Sequence, residues 1–405
     1  MTRVRGHRHA SSAKVHKSRP PTELTPPNKP PSSSPQPKSV STLHPDRIST
    51  GVLPLPSLPL EGITFHPPLD AISSLSEQPQ VYQSDTGNTL RSQDDTSDEG
   101  FCDGDSDYSP SDIACEGEWE NGRFYCPDGY HFPIDDQQHE VELLIHSIWT
   151  KHSPVGQKLF LAPVNTREMH NVLDIGSGPC YWVEDFAVKY PHTTVTGIDL
   201  FPHEVMAPPN VKLRKDDVEL PWPAQNKYEL VHSRDMVLAI RDWDTLLSRA
   251  FQSLVPGGSI ELQEIHYSPQ SKDGSVHSTA QPLADFFSKI ARGLKVLHVD
   301  LHAITLLAEK MRAAGFVNVT TNISYIPISR NAQSETENET ENDAATWMKS
   351  AMYCGLQGTA LGPLTRGLGW RSEEVEVYLV GVRNCLRGSL QDTKLPMYII
   401  HAQRP

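Results

Sequence analysis

The sequence is poor in cysteine, and none of it falls in a metal-binding rhythm. The six residues, Cys102, Cys115, Cys126, Cys180, Cys354 and Cys385, lie far apart, with no C-x-x-C pair. Such spacing predicts free thiols in a reducing compartment and no zinc site or disulfide framework. Long apolar runs are also missing. Nothing approaches the roughly 18 residues of a membrane-spanning helix, and the N-terminus lacks the apolar core of a signal peptide, so a cytoplasmic or nuclear location and no membrane partner are expected. Positive charge is in deficit, with 36 Lys and Arg against 50 Asp and Glu and a formal net charge of −14. The deficit is shared: residues 1–118 carry net −6 and residues 119–405 net −8. A protein that grips phosphates needs clustered Lys and Arg, so direct nucleic-acid binding is not expected.

Aromatic residues are scarce up to about residue 115, while 16 of the 34 prolines fall there. A stretch of this kind buries too little apolar surface to offset its chain entropy, so residues 1–116 are expected to form a disordered tail. Six Lys or Arg and three His with no acid occupy the first 22 residues, and 11 acids against one base occupy residues 84–118. The basic end fits either a nuclear-import patch or a solvated tail. Ser97 and Ser106 precede acids and are candidate phosphorylation sites. The tail is therefore a candidate contact for regulatory protein partners.

Order is expected from residue 117 to 405. Residues 117–170 form an N-terminal cap, 171–267 a cofactor-binding half and 268–405 a C-terminal half. The cap opens with EWENGRFYCPDGYHFPID, dense in aromatics, before a predicted helix over Gln137–Lys151. It reads equally as a lid over a pocket or as a cap on the core.

The centre of the chain is residues 171–199. A short buried strand ending on Asp174 and Ile175 runs into Gly176-Ser177-Gly178, then into helical spacing at Trp182, Val183, Phe186 and Ala187, then into a second strand, Val195–Ile198, that finishes on Asp199. Glycines let backbone approach a ligand that a Cβ would push away, and open α/β sheets bind ligands at the carboxyl ends of their strands. A carboxylate at Asp199 fits both hydroxyls of a ribose. A dinucleotide fingerprint wants a third glycine where Tyr181 stands. The turn therefore leans toward S-adenosylmethionine, with a dinucleotide oxidoreductase as the competing class.

Further strands are predicted at Val211–Arg214, at KYELVHSRDM and at Ser259–Ile265. The first ends on Asp216, Asp217 and Val218, suited to an adenine amine and ring nitrogen. The second ends on His232, Ser233, Arg234 and Asp235. Pro256, Gly257 and Gly258 stop a helix that begins at Trp243. Helices are expected over Leu301–Ala314, Ala345–Leu356 and Glu373–Leu386, strands over 316–328 and Lys394–Gln403, and a polar loop over Asn331–Asp343. Strands alternating with helices make this an α/β, doubly wound, Rossmann-like seven-stranded sheet with an antiparallel last strand.

The ordered run LDIGSGPCYW, TGID, DDVELPWP, HSRDM and LVPGGSIELQE resembles the class I S-adenosylmethionine-dependent methyltransferases. It is most similar to the fungal LaeA-like group, regulators of secondary metabolism. The resemblance spans about residues 117–405. It implies an S-adenosyl-L-methionine site carried by Asp174, Gly176, Ser177, Gly178, Asp199, Leu200, Asp216, Asp217, Val218, Ser233 and Arg234, with no metal. The methyl acceptor, small molecule or protein, is not legible, and the alternative is a cofactor-binding regulator with weak or no turnover. Family members run G-T-G-T-G-x-W, whereas here Cys180 replaces the third glycine behind Pro179. A Cys180 side chain facing the cleft would exclude the cofactor. Candidate general bases are His232, Asp235, Glu264, His266 and Tyr267, with nothing in the sequence to choose among them.

Overall fold

A computed structural model describes residues 117–405 apart from 128, 204–206, 223 and 330–338. The expectations placed on the tail, its charged segments and its serines lie outside the described residues, as does most of the loop expected over residues 331–343.

The described chain begins with a two-stranded hairpin, β1 (Glu118–Glu120) and β2 (Arg123–Tyr125), that pairs Trp119 with Phe124. Helix α1 (Asp136–His152) follows, capped by Asp135, whose carboxylate accepts the Gln138 N–H at 3.1 Å. The same carboxylate takes a fork from Arg123, with Nε and Nη2 each at 2.6 Å, so the hairpin and the helix start are locked together.

Seven strands then build one sheet. They are β3 (Asn171–Ile175), β4 (Thr194–Asp199), β5 (Val211–Lys215), β6 (Tyr228–Arg234), β7 (Leu254–Ile265), β8 (Val317–Pro327) and β9 (Lys394–Gln403), in the spatial order β5-β4-β3-β6-β7-β9-β8. The first five run parallel, and β9 is antiparallel to both β7 and β8, in agreement with the expected antiparallel last strand. The central strands read as apolar runs because helices cover both faces. Between β3 and β6 the winding reverses, and in such sheets this switch point opens a crevice above the carboxyl ends.

The flanking helices are α2 (Tyr181–Lys189), α3 (Trp243–Ser253), α4 (Gln281–Val296), α5 (Leu307–Ala313), α6 (Glu339–Gly362) and α7 (Ser372–Arg387). Three differences from the sequence reading have local causes. The helix expected from Leu301 is split into a 3₁₀ turn at Ala303–Leu306 and the short α5. The strand expected from Ser259 begins five residues earlier, at Leu254, because a register shift against Tyr228 and Leu230 absorbs the Pro-Gly-Gly stretch. The sequence reading places no element between Tyr267 and Leu301, yet α4 fills much of that stretch, with Leu283, Phe286, Phe287, Ile290 and Leu294 buried on one stripe. Among the described residues, no helix is long and apolar enough to cross a membrane.

Candidate active site

The crevice above β3, β4 and β6 is a cavity of about 270 Å³. Its floor is the turn after β3. Gly176 has φ +71° and Gly178 φ +48°, in the left-handed region that side chains resist. A Cβ on Gly176 would overlap Met236 Sδ. The turn is closed by the Cys180 N–H on the Ser177 carbonyl at 2.8 Å. Pro179 sits within it, two residues before α2, so the ring costs the helix no hydrogen bond.

Cys180 itself has φ +69°, which explains a glycine at this position in related turns. Its side chain does not line the cavity. It is fully buried with Trp182, Val183 and Phe186 beneath α2, and burial pushes its thiol up to about 12. The obstruction feared from the sequence does not arise.

Asp199 closes β4 and faces the cavity. One carboxylate oxygen accepts the Gly178 N–H at 2.8 Å and the other the Phe201 N–H at 2.8 Å. Each oxygen keeps a lone pair for a ligand. Burial raises its pKa, and the two N–H donors oppose that shift. Asp174 accepts from His232 Nδ1 at 2.6 Å, and the His232 ring stacks on Trp182 with centroids 3.8 Å apart. Burial lowers the pKa of His232, so the neutral imidazole fixes the orientation of Asp174 from below. Asp217 spends one oxygen on the Glu219 N–H at 2.8 Å, and Asp216 pairs with Arg214 at 2.8 Å. Arg234 donates Nε and Nη2 to Gln263 Oε1 at 2.9 and 2.7 Å and lies over Trp149. Desolvation drops its pKa to about 10, which leaves it charged at neutral pH.

Asp174, Gly176, Ser177, Gly178, Asp199, Leu200, Asp216, Asp217, Val218 and Arg234 all line this one cavity. Ser233 does not. Alternation along β6 puts His232 and Arg234 on one face and turns Ser233 to the other, where it is fully buried. Of the candidate bases, Asp235 and Tyr267 reach the cavity. His232 is held by Asp174, Glu264 accepts the Met236 and Val237 N–H groups at 3.2 and 3.0 Å, and His266 meets His302 at 3.1 Å.

Sequence reasoning missed Glu142 of α1. It lines the cavity and accepts from Gln138 Nε2 at 3.2 Å, and its Oε2 lies 3.5 Å from the position of a Cβ on Gly178. Burial pushes its carboxyl up to about 8, with Asp199 and Asp235 adding to the shift. Asp235 is pushed up to about 6, again chiefly by burial. The signal for Glu142 was weak, a lone acid on a helix with no motif around it. The aromatic cap walls the cavity with Tyr130, Phe132 and Ile134 and also buries Tyr125 and Phe132 in the core, so it serves both roles that its sequence allowed.

A family model described as a methyltransferase domain matches residues 138–321, which contain the glycine turn, Asp199 and Glu142. By this match the chain is similar to the S-adenosylmethionine-dependent methyltransferases. The methyltransferase pytC of Aspergillus terreus is 29% identical over 300 residues, covering 71% of this chain and 88% of that one. In Emericella nidulans, laeA carries the names protein-methionine methyltransferase and secondary metabolism regulator. It is 26% identical over 275 residues, covering 65% of this chain and 70% of its own. Among solved structures, phosphoethanolamine N-methyltransferase 2 of Haemonchus contortus, in complex with phosphomonomethylethanolamine and S-adenosylhomocysteine, matches with TM-score 0.39 and 17% identity over 67% of this chain and 59% of that one. The cavity suits S-adenosylmethionine by its local chemistry. Glycines leave room beside Met236, Asp199 has free acceptor sites, and three acids face a space suited to a cation.

Proposed function

We propose that the methyltransferase is catalytically active and acts in fungal secondary metabolism. S-adenosylmethionine lies with its methionine half against Gly176–Gly178, its ribose on Asp199 and its adenine beside Asp217 and Val218. The observation that carries this reading is the convergence of ten of the eleven expected residues on a single cavity. The relative named as a secondary-metabolism regulator supports the biological setting. When bound, the cofactor supplies an electrophilic methyl group on a sulfonium. The protein's part is orientation and exclusion of water, and positioning of this kind supplies up to about 7–11 kcal/mol of a barrier. Asp199 fixes the ribose, the glycine turn fixes the methionine chain, and Asp235, joined by Glu142 once it ionises, places negative charge around the cationic centre. Tyr130 and Phe132 of the cap close the cavity from the N-terminal side.

A calorimetric titration of the full chain with S-adenosylmethionine tests the cofactor assignment. Binding with a clear enthalpy is expected, and no binding overturns the assignment. Labelled methyl from bound cofactor is expected to appear in a component of a fungal extract. Transfer to no component of any extract would reduce the protein to a cofactor-binding regulator.

A further inference from the structure

The cavity extends past the cofactor residues into a chamber walled by α4 and α6. Leu283, Phe286, Phe287 and Ile290 come from α4, and Met348 and Met352 from α6. None of these side chains is charged, and all six are buried. Tyr267 lies tilted against Phe287 with centroids 5.3 Å apart, and Phe287 meets Phe286 edge to face at 5.1 Å, so one wall is a continuous run of rings. Apolar walls built of rings favour an aromatic body and offer nothing to a charged one.

Asp235 stands where the chamber meets the cofactor residues. Asp235 follows β6 directly and precedes Met236, the residue lying against Gly176 of the turn. It is also within electrostatic reach of Tyr267 on the ring wall. Its backbone is left-handed, φ +55°, an unfavourable state for a residue with a side chain. Its Oδ2 accepts one hydrogen bond, from Trp149 Nε1 at 3.3 Å, and a carboxylate oxygen has room for a second. The other four candidate bases offer no such acceptor. His232, Glu264 and His266 lie outside the cavity with partners of their own, and the Tyr267 phenol is held protonated by burial.

We infer that the methyl acceptor is a small, neutral, aromatic hydroxyl compound whose ring occupies this chamber and whose hydroxyl donates to Asp235. The inference rests on the methyltransferase reading and adds the substrate class to it. The proton of that hydroxyl passes to the Asp235 carboxylate. The O–H bond breaks with its electron pair left on the substrate oxygen, and an O–H bond forms on the carboxyl group.

Equilibrium binding to the full chain in the presence of S-adenosylhomocysteine provides the test, with 2-naphthol and its methyl ether as probes. The naphthol is expected to bind at least about tenfold tighter, the difference made by one hydrogen bond to a charged acceptor. Asp235→Asn should shrink that preference to about twofold or less. Ile290→Trp should abolish binding of both probes while S-adenosylmethionine still binds, and that retained binding shows the variant is folded. Should Ile290→Trp not fold, Phe287→Ala replaces it and should weaken both probes. Equal affinity for the two probes, an unchanged preference in Asp235→Asn, or tighter binding of 2-naphthylmethylamine than of naphthol overturns the inference. Ordinary S-adenosylmethionine binding with neither probe bound overturns the acceptor class alone. Failure to bind S-adenosylmethionine overturns the methyltransferase reading as well.

Discussion

The two ends of the cavity are built in opposite ways. At the cofactor end, ligand-facing groups come from turns that directly follow β3, β4 and β5. Much of the work there is done by backbone N–H groups, glycine conformation and short-range caps such as Asp199 to Phe201. At the chamber end, the groups are apolar side chains from α4 and α6, more than 50 residues apart in the chain, meeting only through packing. On the proposed reading, one end recognises a fixed ligand by geometry and the other a variable one by shape. Substitutions should therefore separate cofactor affinity from stability, and each of the following would break or sharpen that separation.

The largest effect is expected for Gly176→Val. Positive φ and overlap with Met236 together should cost roughly 2–5 kcal/mol of stability, and cofactor binding should disappear in calorimetry. A variant that still binds would show that the turn is not the floor of the site. Asp199→Ala should weaken S-adenosylmethionine by about 1.5–3 kcal/mol, the worth of hydrogen bonds to a charged group. Unchanged affinity would refute the ribose assignment. Met352→Ala is the converse case. It should lower stability in denaturant titration by about 2 kcal/mol, the low end for such a truncation because the site already borders a cavity. Its S-adenosylmethionine affinity should stay within about twofold. A large loss would mean that the ends are not separable.

Glu142 lies on the seam and should show itself through pH. Its carboxyl is raised to about 8 in the folded chain from an ordinary 4.5. The folded state therefore binds more protons than the unfolded state between those values. Its contribution to stability is fully present below about 4.5 and is lost as pH rises through about 8. Glu142→Gln should thus melt higher than the parent above about pH 8 and match it near pH 5. Affinity for the cationic cofactor should run the other way, rising with pH in the parent as Glu142 ionises and staying flat in the variant. Parallel profiles would remove Glu142 from the site. The smallest effect belongs to Cys180→Gly, where relief of positive φ is offset by loss of a buried thiol. Stability is expected to move by no more than about 1 kcal/mol and cofactor affinity not at all. A marked gain in affinity would show that the thiol does intrude.

Most of the sheet was legible because the parallel strands are short, rich in β-branched and apolar residues and followed by turn residues, as in Val172–Ile175 and Val195–Ile198. The last strand, Lys394–Gln403, matched residue for residue. Helix ends were read less well where caps compete. The polar segment before Ala345 reads as loop although α6 begins at Glu339, because its first residues, E-T-E-N-D, carry no apolar stripe to mark a helix. Helix α4 carries its own apolar stripe, Leu283, Phe286, Phe287, Ile290 and Leu294, with no glycine turn or acidic strand end beside it to mark the segment. Ser233 was misplaced for a simpler reason. A motif gives the position along a strand, and only the pairing of Ser233 with Ile175 and of His232 with Asp174 says which face is which.

The sequence alone determined the order of strands and helices, the glycine turn and the acids at strand ends, because these depend on contacts between near neighbours. Tertiary structure alone decided that Cys180 points into the core, that Glu142 joins Asp199 across the cavity, and that Asp235 meets a wall of rings from α4. Such outcomes depend on how separate elements pack and on how much water that packing removes. No local pattern of residues encodes either quantity.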